Sequence, residues 1–148
     1  MVRKHAEKFL LLFTAAGFLV SLYSLAQHYG PVGGACNVNQ TFNCDIVNKG
    51  SYSEIAGFPV AGVGVVGYIV IGIVALAWRK EKDPVLAKAL LALSLGGLAF
   101  SLYLTSIEAF VLRAWCLLCL ASLSSIVGVA ASSAMLAKKT LAKKTVDG

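Results

Sequence analysis

The length of its apolar runs constrains this chain more than any other feature. Four stretches, about 9–28, 58–78, 85–107 and 114–136, each hold roughly twenty mostly apolar residues. A helix rises about 1.5 Å per residue, so about 20 residues cross the hydrocarbon layer of a bilayer. Backbone polar groups find no water there, so such a run must satisfy them internally, as a helix does. Composition agrees: 58% of the 148 residues are hydrophobic and 14% are charged, against roughly 25% charged in soluble domains. The expectation is a single domain, an all-α membrane protein built as a four-transmembrane-helix bundle. A basic tail, 137–148, carrying LAKKT twice, is expected to fray near lipid headgroups.

The net charge of +6 raises the question of a nucleic-acid partner. The basic residues answer it, because they cluster at the ends of apolar runs, as in proteins whose partner is membrane lipid. Arg3, Lys4 and Lys8 precede the first run; Arg79, Lys80, Lys82 and Lys88 surround the loop after the second; Lys138, Lys139, Lys143 and Lys144 follow the fourth. Only Lys49 and Arg113 remain for the other side. The positive-inside rule then sets both termini in the cytoplasm and makes 29–57 a long extracytoplasmic loop between the first two helices. The first run is longer than a signal-peptide core and lacks a clean A-x-A-like site, so it is expected to be retained. The expected location is the cytoplasmic (inner) membrane, with several passes.

All four cysteines fall toward one face. Cys36 and Cys44 lie in the first outer loop; Cys116 and Cys119 open the fourth helix from the same side. That side is the oxidising one, where disulfides persist. Three uses are open. Static disulfides could brace the loop, although a C-x-x-C ring is small and constrains little chain entropy. All four thiolates could form a site that binds or transports a metal such as zinc, at a spacing loose for a zinc knuckle. Or the two pairs could form a thiol relay, one exchanging with a soluble partner and the other with something dissolved in lipid, through mixed disulfides. The helix N-terminus favours thiolate at Cys116 and Cys119, and burial in apolar surroundings opposes it.

Three pieces carry a family resemblance: C-x7-C in the outer loop (Cys36, Cys44), YSEIAGFPVAGVGVVGY leading into the second helix, and AWCLLC opening the fourth. In order and spacing, over roughly 9–136, the chain resembles a bacterial member of the vitamin K epoxide reductase family. The resemblance implies a four-helix bundle around a quinone pocket, with ubiquinone or menaquinone as cofactor. By position it implies that Cys119 reacts with the quinone, that Cys116 pairs with Cys119 and exchanges with Cys44, and that Cys36 pairs with Cys44. Cys36 would then exchange with a separate thioredoxin-fold, DsbA-like protein, since no fused thioredoxin-like domain is expected in this chain. The implied activity is a membrane thiol:disulfide oxidoreductase that supports disulfide bond formation. Two departures stand out. Many relatives have Ser or Thr six residues after the second loop cysteine, where this chain has Gly50 followed by Ser51. The Thr-Tyr-Ala-like stretch after C-x-x-C in the animal enzymes reads Ser122-Leu123-Ser124 here, which points to plain quinone reduction.

Other residues take lesser expectations. Tyr68, Tyr103 and Trp115 are candidates for quinone contact, with helix packing or interfacial anchoring as their plainer use. Glu108 and Arg113 bracket the connection to the fourth helix and read as a solvated pair rather than a proton relay. His28 reads as an interfacial residue at the end of the first helix. The glycines and alanines of the second helix read as close helix packing, with a cavity that admits a flat ligand as their other use.

Overall fold

A computed structural model describes residues 2–34 and 36–147. Four long helices, α1 (Val2–Tyr29), α3 (Val60–Glu81), α4 (Pro84–Ile107) and α5 (Leu117–Asp147), dominate it, with a short α2 (Cys44–Asn48) between the first two. The four long helices are each long and apolar enough to cross a membrane. The chain is therefore an all-α, multi-pass membrane protein. α1 packs on α3 and α5, and α4 packs on the same two, closing a ring.

Large apolar side chains such as Leu19, Val66, Ile73 and Leu102 are half or more exposed on the outside of this ring. That is the arrangement a lipid environment requires, since lipid tails are as apolar as the core. Inside, Leu10, Trp78, Leu90 and Leu136 are at most 2% exposed. They plug the end of the bundle that carries both termini. At that end Lys82 Nζ bonds Glu7 Oε1 at 2.7 Å and lies over the Trp78 ring.

The helix ends follow local chemistry. α3 stops at Lys82, in the left-handed region at φ 55°. α4 starts at once, with Asp83 accepting the Val85 N–H at 2.9 Å and Pro84 in the first turn, a cap and a proline where each is favoured. The two outermost helices run further than the apolar periodicity predicts. α1 takes in residues 2–8, and α5 takes in 137–147, expected as a frayed tail. Leucine, alanine and lysine are strong helix formers, and Leu136 and Ala137 are buried against the bundle, which anchors the extension.

Small residues in α3 serve two ends. Gly64 faces α1, where an added Cβ would lie 2.9 Å from Ser21 Oγ, so the two helices approach closely there. Gly67 and Gly96 would meet nothing within 4 Å. They face a cavity in the half of the bundle away from the termini.

Residues 30–59 cap that half. Asn43 caps α2, its side chain accepting the Asp45 and Ile46 N–H groups at 3.0 and 3.3 Å. A two-residue hairpin turn at Ala56 (φ 52°) and Gly57 (φ 83°) joins β1 (Glu54–Ile55) to β2 (Phe58–Pro59), both positive as a type I′ turn needs. Lys49 Nζ bonds the Gly30 carbonyl at 2.6 Å, tying α2 to the end of α1.

Candidate functional site

The site is assembled from two connections. Glu108–Leu112 winds as a π turn at the end of α4, and Arg113 follows at φ 50°. The chain then runs extended through Trp115 into α5. Trp115 pairs with the cysteine loop in strand fashion: its N–H donates to Thr41 O at 2.7 Å, and its carbonyl accepts the Asn43 N–H at 3.1 Å. These two bonds hold the residue before Cys44 against the residue before Cys116.

The consequence is a sulfur cluster. Cys36 and Cys44 are joined in a disulfide, with Cα atoms 5.8 Å apart. Cys116 and Cys119 are free. Cys116 Sγ lies 3.4 Å from Cys44 Sγ, although 72 residues separate them. The helix expected to contain both C-x-x-C thiols begins at Leu117, so Cys116 sits at its N-cap. Its carbonyl accepts the Leu120 N–H at 3.0 Å, and its Sγ accepts the Cys119 N–H at 3.4 Å. A hydrogen bond from the Cys119 thiol holds the Cys116 thiol below its ordinary value; the Cys119 and Leu118 N–H groups help, against burial and the Glu108 carboxyl.

The two inner cysteines face different spaces. Cys116 is fully buried against Cys44. Cys119 lines the cavity, which has a volume of about 390 Å³, within the range of small-molecule sites. Its walls are mainly apolar and come from α1, α2, α3, α4 and α5. Two buried polar atoms on residues lining it have no hydrogen-bond partner, Asn48 Nδ2 and Glu108 Oε1. Asn48 is oriented by Ser24, whose hydroxyl donates to Oδ1 at 3.1 Å. The Asn48 carbonyl meets His28 Nδ1, and His28 Nε2 stands 3.3 Å from Glu54 Oε1.

The cysteine loop is stiffened by Asp45. It accepts the Gly33 N–H at 2.8 Å and hydrogen-bonds Asn37, with Lys49 at 3.6 Å. The Gly33 N–H is the chief cause that holds its carboxyl below the ordinary 3.8; Asn37 and Lys49 add to it.

The structure sorts the sequence candidates. Cys36, Cys44, Cys116 and Cys119 come together. Tyr68 lines the cavity, its hydroxyl donating to Ser122 O at 2.9 Å. Tyr103 does not line it and is 60% exposed; α4 turns Phe100, Ser101 and Leu104 inward, and Tyr103 falls off that stripe. Trp115 is also absent from the lining. Ser51 is exposed, and the buried hydroxyl nearby is Ser53, which donates to Gly50 O at 2.7 Å and lines the cavity.

Glu108 is the largest correction. Expected as half of a solvated pair, it is 1% exposed, and its Oε2 accepts the Cys116 N–H at 3.0 Å. Arg113, in the left-handed region at φ 50°, is exposed instead. Asn48 was not singled out, although it follows Cys44 by one helical turn on α2, a spacing that puts both on one face. For Glu108, eight residues before Cys116, no local spacing gives the signal. Among the described residues no group of three or more His, Cys, Asp or Glu side chains is arranged to hold a metal ion.

With the geometry in hand, one comparison bears on the whole arrangement: the family model described as "Vitamin K epoxide reductase family" matches residues 8–134.

Proposed function

The chain belongs to the vitamin K epoxide reductase family, whose members are membrane thiol oxidoreductases, and from that premise we propose a quinone-dependent thiol:disulfide oxidoreductase that supports disulfide bond formation. The observation that carries this reading is the 3.4 Å approach of the free Cys116 Sγ to Cys44 Sγ of the Cys36–Cys44 disulfide. Thiol–disulfide exchange needs a thiolate near a disulfide sulfur. A low-lying Cys116 thiol at a helix N-cap meets that need.

Electrons enter at the loop. A dithiol on a separate thioredoxin-fold, DsbA-like protein attacks Cys36, and Cys44 leaves as thiolate. Cys44 then attacks Cys116 of a Cys116–Cys119 disulfide, releasing Cys119. The partner's second thiol attacks the mixed disulfide and leaves oxidised, releasing Cys36; attack of Cys36 on Cys44 then frees Cys116 and leaves the inner pair reduced, the state seen here. Cys119, on the cavity wall, then faces the acceptor. Quinone, when bound, takes up two electrons and two protons. The cavity fits such a molecule: it is apolar enough for a ring, and Asn48 Nδ2 is a buried donor without a partner for a carbonyl oxygen. Tyr68 borders the same space, so it is the aromatic contact kept from the sequence reading; Tyr103 and Trp115 are left out of the pocket.

The charge distribution supports the orientation. Lys49 and Arg113 flank the sulfur cluster, while Lys82 bonds Glu7 at the opposite end. Under the positive-inside rule the cysteines face the extracytoplasmic side of the cytoplasmic membrane and the termini the cytoplasm.

The test is direct. Purified protein is mixed with a reduced thioredoxin-fold protein and ubiquinone or menaquinone, and quinone absorbance is followed. Loss of the quinone band, abolished by Cys119→Ala, is expected. An unchanged quinone band with several such partners would sink the reading.

A further inference from the structure

Burying a carboxyl inside an apolar bundle is costly unless hydrogen bonds replace its water. Glu108 carries that cost with one of its two oxygens satisfied. Oε2 accepts the Cys116 N–H, and Oε1 is buried without a partner. Holding the turn needs only an acceptor for that N–H, which a neutral amide would supply. An ionisable group here has a second capacity, to take up and release a proton.

The surroundings say between what. The carboxyl interacts with the Cys119 thiol as well as with the Cys116 amide. Glu108 and Cys119 both line the cavity. One side chain therefore contacts the dithiol on one side and the acceptor space on the other. The remaining titratable side chains of the lining are His28, Tyr52 and Tyr68. His28 is engaged by Asn48 O and Glu54, Tyr68 donates to Ser122 O, and Tyr52 is half exposed.

We propose that Glu108 carries protons from the Cys116/Cys119 dithiol to a quinone-class acceptor held in the cavity. The inference rests on the function proposed above. In the step, two S–H bonds break and the Cys116–Cys119 bond forms. Two electrons pass to the acceptor. The carboxylate takes one thiol proton at Oε1, releases it to an acceptor oxygen, repeats this with the second proton, and ends as it began. The quinone gains two electrons and two protons and leaves as the hydroquinone.

Glu108→Gln keeps an acceptor for the Cys116 N–H but cannot carry a proton. The full chain is purified in detergent, reduced with dithiothreitol and mixed with a short-chain ubiquinone. The Gln variant should keep the wild-type unfolding midpoint, ubiquinone affinity and thiol exchange with dithiothreitol. Its single-turnover quinone reduction should fall about 10²- to 10⁴-fold, the usual worth of a positioned proton carrier. A second readout needs no quinone. The infrared difference between dithiol and disulfide forms should contain a carboxylate stretching band, shifted by loss of the neighbouring thiol proton, that is lost in Glu108→Gln. Should that variant fail to fold, Glu108→Asp keeps a carboxyl on a shorter arm, and the band should move in frequency. A Gln variant that reduces quinone within about threefold of wild type, or a difference spectrum without a Glu108 band, overturns the inference. Wild-type protein that reduces no quinone overturns the proposed function instead, and the infrared result then still decides whether the Glu108 carboxylate faces the dithiol proton.

Discussion

Cys116 Sγ stands 3.4 Å from Cys44 Sγ while Cys44 is bonded to Cys36. The contact is made by backbone rather than by the sulfurs. Trp115 pairs with Thr41 and Asn43, through bonds that involve no sulfur atom.

The first prediction concerns that contact. In a Cys36→Ala, Cys119→Ala double variant, Cys44 and Cys116 have no competing partners. Mild oxidation should link them, and mass spectrometry of a digest should show the Cys44–Cys116 peptide as the main disulfide. Free thiols at both positions would contradict the observed geometry.

The second concerns Asp45. Its carboxyl titrates below the ordinary 3.8 in the folded protein, chiefly through the Gly33 N–H. A depressed value means that its contribution to loop stability is fully present above the unfolded value and is lost as pH falls through the folded one. Limited proteolysis within 31–43 should therefore accelerate on acidification below about pH 4. Asp45→Asn should be cut faster at neutral pH and lose most of that acid dependence.

The third uses Gly67. An added side chain there meets nothing within 4 Å and projects into the cavity. Gly67→Ala should raise stability by about 0.5–1 kcal/mol, since glycine in a helix interior is costly. Gly67→Phe should fold but bind short-chain ubiquinone at least about tenfold more weakly, a loss of about 1.4 kcal/mol. Wild-type affinity in the Phe variant would place the ligand elsewhere.

The fourth concerns Gly17 and Tyr68. A Cβ at Gly17 would fall on the Tyr68 ring. Gly17→Ala must push that ring, at an expected cost of about 1–3 kcal/mol for overpacking. Tyr68→Phe loses only the hydroxyl's contacts with Ser122 O and Oγ and should cost about 1 kcal/mol. Thermal unfolding in detergent separates the two: the Gly17 variant should melt lower.

Much of this was legible in advance. The four spans and the two cysteine pairs are local features, readable from runs of twenty residues and from spacing. Even Cys44 with Asn48 could be read, since one helical turn separates them. Glu108 could not. Whether a charged residue at the end of a span faces solvent or the interior depends on the turn it sits in, and a π turn is not written in any short motif. Tyr103 failed for a related reason: a shift of one residue rotates a side chain by about 100° around a helix, and the inward stripe of α4 is fixed by its neighbours.

The sequence alone determined the membrane helices, because hydrophobic length and the need to satisfy backbone polar groups leave no other solution. It also determined that the four cysteines share one end, because charge distribution and span order are properties of the chain in one dimension. Only the tertiary structure decided which sulfurs meet, which thiol faces the cavity and where the buried Glu108 carboxyl points. Those outcomes depend on contacts across 72 residues between Cys44 and Cys116. Such contacts arise when the loop docks on the α4–α5 connection, and no local rule specifies them.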